Sequence, residues 1–197
     1  MDHFTIYASD GASGGLLLFW SSPVVIQAMD IQANFIDVAV CNTHQNPWRL
    51  TCFYGEPKWE DRHLSWGYLR NLKQQTDLPW IVIGDFNEIL YSHEKEGGAP
   101  RPLRMMQAFR DSLSECGLED MGYEGDQFTW RRRRVRERLD RAVCNGGFHE
   151  YFPRAKVINT GHDKSDHRPL LLDTEGEEEI VFRRTSRTKA FELAAGK

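Results

Sequence analysis

Trp80-Ile-Val-Ile-Gly-Asp-Phe-Asn87 is the stretch on which the fold turns. An apolar run this short, set between Pro79 and Gly84, reads as a central strand. Alternate strand residues share a face, so Asp85 and Asn87 project together where the strand stops. A carboxylate and an amide so placed can hold a metal-bound water or a phosphate oxygen. Equally, both can bond local backbone in an Asx turn.

Outward from that strand, short β-type runs alternate with turn signals. Gly15-Leu-Leu-Leu-Phe-Trp20, Pro23-Val-Val-Ile-Gln27, Phe35-Ile-Asp-Val-Ala-Val40 and Arg49-Leu-Thr-Cys-Phe-Tyr54 read as strands. Between Asp61 and Thr76 the period changes: Leu64, Tyr68, Leu69 and Leu72 recur at helical spacing, with Asp61 as cap. A second helix is predicted over Leu103–Cys116, with Met106, Phe109, Leu113 and Cys116 inward and Gly117 as its stop. Further strands are expected at Gln127–Trp130, Arg138–Val143, Lys156–Asn159 and Pro169–Leu172. Many short strands and few helices, without regular βαβ alternation, predict an α+β sandwich. One domain is expected over residues 1–173, and a charged linker or tail over 174–197.

The 197 residues carry a net charge of -4 with 40% hydrophobic content, enough for a core and too balanced for disorder. The longest apolar stretch, Leu16–Trp20, is far too short for a membrane span, and no leader follows Met1. Cys41, Cys52, Cys116 and Cys144 lie far apart and read as separate thiols in a reducing compartment, so the expected location is nucleus or cytoplasm. Asp10-Gly-Ala-Ser-Gly-Gly15 lacks the Lys-Ser/Thr of a phosphate loop and reads as a turn. Seven arginines crowd between Arg131 and Arg141. Such a strip, led by Arg131, Arg132, Arg133, Arg134 and Arg136, suits docking onto a polyanion or a solvated charged loop.

Two further clusters carry chemistry. Gly161-His-Asp-Lys-Ser-Asp-His167 offers two histidines and two aspartates in seven residues, fit for a metal, for acid–base work, or for a polar turn. Glu137-Arg-Leu-Asp-Arg141 places Asp140 inside a strand expected to be buried, where a lone carboxylate needs a partner. An imidazole N–H is one such partner, and a neighbouring arginine is the other.

In order and spacing, Phe53-Tyr-Gly55, Gly84-Asp-Phe-Asn87, Arg138-Leu-Asp140 and Ser165-Asp-His167 resemble the endonuclease/exonuclease/phosphatase superfamily. Ser13-Gly-Gly15, His63-Leu-Ser-Trp66, Leu78-Pro-Trp80 and Phe128-Thr-Trp130 are similar to its branch in plant non-LTR retrotransposons. The resemblance implies a two-sheet, four-layer deoxyribonuclease-like sandwich flanked by helices, cutting DNA with Mg²⁺, or Mn²⁺, as a monomer. It further implies a reverse transcriptase domain downstream. Carried over, Asp85 and Asn87 would contact the attacking water and the phosphate, and Tyr54 would position the phosphate. His167, oriented by Asp140, would be the base or phosphate-polarising group, and Asp166 a metal ligand. The family's opening strands, which bear an asparagine and a metal-binding glutamate, should precede Ser13. Neither motif lies in the twelve residues there, which predicts a domain without its first two strands, an exposed edge and weak Mg²⁺ binding. A catalytically impaired remnant that keeps nucleic-acid affinity, and a small-molecule phosphatase, are the alternatives.

Overall fold

The computed structural model describes residues 3–7, 15–42, 45–161 and 165–176. Strands β1 (His3–Tyr7), β2 (Leu16–Trp20), β3 (Val25–Gln32), β4 (Phe35–Asn42) and β5 (Gln45–Tyr54) lead to helix α1 (Arg62–Lys73) and strand β6 (Trp80–Asp85). There follow β7 (Lys95–Glu96), helix α2 (Leu103–Cys116), β8 (Glu119–Asp120), β9 (Glu124–Gly125), β10 (Trp130–Arg132) and β11 (Val135–Glu137). Then come β12 (Asp140–Cys144), helix α3 (Gly146–Tyr151), β13 (Lys156–Asn159) and β14 (Leu170–Asp173).

The principal sheet orders its strands β3-β4-β5-β6-β12-β8. β6 lies at its heart, parallel to β5 and antiparallel to β12. Alternation along β6 explains its unbroken apolar run. Ile81 and Ile83 face Leu50, Cys52, Ala142 and Phe148, on the side covered by β2 and β13–β14. Trp80 and Val82 face the other way, onto Trp66, Leu69 and Leu72 of α1 and Phe109 and Leu113 of α2. A strand covered on both faces has no polar side to show. Leu69 is fully buried in the helix layer, and truncating it to alanine costs about 2–5 kcal/mol.

Gly84 is obligatory where β6 ends. Its φ is 147°, and a Cβ there would stand 2.1 Å from the Phe53 carbonyl oxygen. Absence of a side chain lets β5 and β6 close together at the residue before Asp85.

The α+β sandwich with flanking helices is as the sequence predicts, and its four cysteines are free thiols. α2 matches its predicted span, with Gly117 left-handed at its end. α1 differs in detail. Leu64 is exposed and Trp66 is the buried anchor, and Asp61 at the N-cap position makes no side-chain cap bond. Four apolar residues at helical spacing mark a helix without telling which stripe faces the core. The strand expected at Gln127–Trp130 begins only at Trp130, and that expected at Arg138–Val143 begins at Asp140. α3 and β1 were not predicted. β1 pairs antiparallel with β2, and Phe4, Ile6 and Phe19 stand exposed on that pair. Residues 10–14 of the glycine-rich turn read over Asp10–Gly15, residues 162–164 of the His/Asp cluster and most of the 174–197 tail lie outside the described residues. Among the described residues no helix is long and apolar enough to cross a membrane.

Candidate active site

Three adjacent strands end in one row of polar residues. Tyr54 on β5 is the register partner of Asp85 on β6, and Asp85 is the partner of Asp140 on β12. By strand alternation the three side chains share the face that looks toward the β13–β14 layer. Asp85 and Asp140 are both buried, so two carboxylates sit side by side in a poorly solvated place.

His167 closes the row from the facing layer. Its backbone bridges Trp130, and the flanking residues are pinned too: Arg131 N–H donates to the Asp166 carbonyl (2.9 Å) and Arg168 N–H to the Thr129 carbonyl (2.7 Å). The His167 Nδ1 atom lies 2.9 Å from Asp140 Oδ2 and 3.1 Å from Oδ1. Its Nε2 atom is 3.9 Å from Asp85 Oδ2. Asp140 therefore takes the imidazole as its partner. The arginines on either side of it are otherwise engaged: Arg138 and Arg141 both pair with Glu94 and Asp120.

Asn87 shows that the turn and the site are one object. Its backbone N–H donates to Asp85 Oδ1 at 2.8 Å, an Asx turn, while its φ of 53° swings the side chain back so that its amide donates to the Gly55 carbonyl. The second Asp85 oxygen is left to face His167. Gly55 is held just as tightly, since a Cβ there would stand 2.4 Å from the Phe86 carbonyl oxygen.

The electrostatics follow from burial and neighbours. Burial, reinforced by the charge of Asp140, pushes the Asp85 carboxyl up to about 7 against the partial relief of His167. For His167 burial acts against the charged ring. The hydrogen bond to Asp140 and the charges of Asp140, Asp85 and Asp166 outweigh it and raise the imidazole to about 9. Tyr54 is also raised, by burial first and then by the charge of Asp85, so its hydroxyl stays protonated as a donor.

Asp85, Asp140 and His167 each offer a ligand atom, and these atoms lie within 4.8 Å of one another. Two carboxylates and an imidazole are a donor set that could hold a divalent cation, and two crowded buried carboxylates gain from any cation placed between them. Asp166, expected as a ligand, stands outside that trio and contributes through its charge on His167.

The arginine strip forms the β10–β11 hairpin, with Arg131, Arg132, Arg133 and Arg134 exposed and Arg133 left-handed at the turn. Arg136 is partly spent on Glu96, with its guanidinium over the Phe128 ring. The hairpin springs from Trp130, whose ring lies 6.5 Å from that of His167. Thr129 was not singled out by residue chemistry. It is fully buried, and its Oγ accepts the N–H of Leu139 (3.0 Å) and of Asp140 (2.9 Å), fixing the start of β12. A threonine between two aromatics carries no signal for that role beyond its place in the Phe128-Thr-Trp130 motif.

The family described as Endonuclease/Exonuclease/phosphatase matches residues 2–167. No curated protein matches the chain. Among solved structures, the endonuclease domain of TRAS1, a telomere-specific non-LTR retrotransposon, is similar at a TM-score of 0.63 and 18% identity, covering 86% of this chain and 79% of that one. A functionally unknown conserved protein from Enterococcus faecalis V583 gives a TM-score of 0.48 at 18% identity, covering 85% of this chain and 75% of that one. The first likeness is one of fold.

Proposed function

Because this chain belongs to the endonuclease/exonuclease/phosphatase family, we propose that the Asp85–Asp140–His167 site hydrolyses phosphodiester bonds of DNA. The observation that carries the reading is the seat of His167. It stands between two buried carboxylates, on a segment tied backbone-to-backbone to the root of an exposed arginine hairpin.

Hydrolysis needs a base for water, charge relief at the phosphate and a stabilised leaving oxygen. A carboxyl brought up to about 7 is matched to taking a proton from water at neutral pH, and Asp85 is that group. His167 raised to about 9 is mainly imidazolium, so it polarises the phosphate and supplies a proton rather than removing one. Asp140 holds its Nδ1 and thereby aims Nε2 at the reaction space. Tyr54, kept protonated, donates to the phosphate beside Asn87. A divalent cation, Mg²⁺ for preference, would supply charge relief at the phosphate. Asp166 is the residue that would hold it, as Mg²⁺ commonly takes one or two carboxylates.

Arginine forks match phosphate oxygens, and the exposed hairpin favours a long polyanion over a small phosphoester. The test is nicking of supercoiled plasmid in Mg²⁺ by the wild-type chain, Asp85→Asn and His167→Ala, with p-nitrophenyl phosphate as the small substrate. Nicking lost in both variants is the expected result. Binding of plasmid without nicking would point to an impaired remnant, and turnover of the small ester alone would reassign the substrate.

A further inference from the structure

A buried ionic chain runs beside the catalytic row. Arg62 Nη1 pairs with Glu88 Oε2 (3.1 Å), Arg101 Nε with Glu88 Oε1 (2.9 Å), and Arg101 Nη2 with Glu137 Oε2 (2.8 Å). Lys95 pairs with the other Glu137 oxygen. Glu88 is fully buried, and the Arg101 side chain is 8% exposed beneath the Trp59 ring, which lies 5.6 Å from its guanidinium carbon.

The anchors are placed symmetrically about the site. Glu88 follows Asp85 by three positions, and Glu137 precedes Asp140 by three. The two segments also touch through the Phe86 N–H, which donates to the Leu139 carbonyl at 3.0 Å, through the last pair of the β6–β12 ladder, and through the buried cluster shared by Ile89 and Leu139. We propose that Arg101 is a positioning residue whose guanidinium, by an ion pair to Glu88 and a hydrogen bond to Glu137, ties the Asp85 segment to the Asp140 segment and so sets the gap in which Asp85, His167 and the phosphate react. The proposal rests on the phosphodiesterase reading above.

Cutting the chain at its middle is chemically clean. Without Arg101, Glu88 keeps Arg62 and Glu137 keeps Lys95, so neither carboxylate is left buried and bare, the usual reason such deletions unfold proteins. The tie between the segments is lost, together with the guanidinium contact on the Trp59 ring at the surface. Lysine at this position restores the charge, but its three donors radiate from one nitrogen and do not reach the two carboxylates from separate nitrogens as the planar guanidinium does.

The test compares wild type, Arg101→Met and Arg101→Lys by plasmid nicking in Mg²⁺ and by amide hydrogen exchange. Both variants are expected to lose at least tenfold in kcat, with KM for DNA within twofold because the Arg101 side chain is only 8% exposed. In both, the Phe86 amide is expected to exchange at least tenfold faster. Rescue of kcat by lysine, a rise in KM in place of the fall in kcat, or unchanged Phe86 exchange would each overturn the proposal. Should Arg101→Met fail to fold, Arg101→Lys decides by the same readouts. A wild-type chain that cannot nick removes the phosphodiesterase reading, while the exchange result still decides whether Arg101 ties the segments.

Discussion

His167 Nδ1 lies 2.9 Å from Asp140 Oδ2 although 27 positions of sequence separate the two residues. The contact spans two layers, since Asp140 opens β12 of the principal sheet and His167 lies opposite Trp130, the first residue of β10. It satisfies a buried carboxylate, fixes the ring's orientation and leaves Nε2 toward Asp85. The same contact makes the site sensitive to pH, because the ring it holds is charged at neutrality.

Stability without divalent cations should therefore fall as pH rises. Asp85 and His167 both have folded values above their ordinary ones, 3.8 to about 7 and 6.5 to about 9. In each case the folded state favours the proton, so the contribution is full below the ordinary value and lost as pH climbs through the folded value. Between pH 6.5 and 9, His167 dominates the change. Urea midpoints should drop across that window in wild type, and Asp140→Asn should flatten the drop. A midpoint that rises there would refute the assignment of the shift.

Tyr54→Phe tests the donor. Burial and the nearby Asp85 charge keep the phenol protonated, against the partial relief of a hydrogen bond with Asn87. Removing a donor aimed at developing charge costs on the order of 10²-fold in kcat. The melting temperature should move little. A rate unchanged by the substitution would take Tyr54 out of the site.

Asp85 and Asn87 were legible because the period of a strand and the glycine that stops it place both side chains together. Asp140 was legible as a carboxylate in a buried strand, but its choice of His167 over an arginine depends on where Glu94 and Asp120 lie, and these pairings cross more than 15 positions of sequence. β8 and β9, two residues each, are too short for any periodicity to show. α3 hid behind Gly146 and Gly147. Its cap, Asn145, accepts the Phe148 N–H at 2.9 Å and also the Trp80 N–H at 2.9 Å, so that helix is set by the sheet more than by propensity. Arg101 could not be found from sequence, since its partners become neighbours only after β6 and β12 have paired.

Metal binding should distinguish two seats for the cation. In the Asp85–Asp140–His167 set the imidazole must give up its proton before it can ligate. At pH 8, above the Asp85 value and below that of His167, binding there would release close to one proton, and Mn²⁺ would bind more tightly than Mg²⁺. Calorimetry in two buffers of different ionisation heat reads that proton directly. Proton release near one assigns the cation to the trio in the DNA-free protein. Release near zero assigns it to Asp166, with His167 still charged, and Asp166→Ala should then abolish the heat.

The hairpin should govern affinity without reading sequence. Arg131 to Arg134 are exposed, and Arg133 sits at the turn with positive φ, so their forks point outward from a short, stiff ribbon rooted beside His167. Contacts of this kind go to phosphates, which fix register on DNA and carry no base identity. Each phosphate neutralised releases condensed counterions, so binding falls with salt on a slope that counts contacts. Replacing Arg131 through Arg134 with alanine should weaken binding to unrelated duplexes alike and flatten the plot of log K against log salt by up to about four contacts. Arg136, paired to Glu96 and stacked on Phe128, should contribute less when changed alone. An unaltered slope with intact binding would make the hairpin a solvated loop. Loss confined to one DNA sequence would mean that the arginines reach base edges, where bidentate contacts to guanine carry specificity.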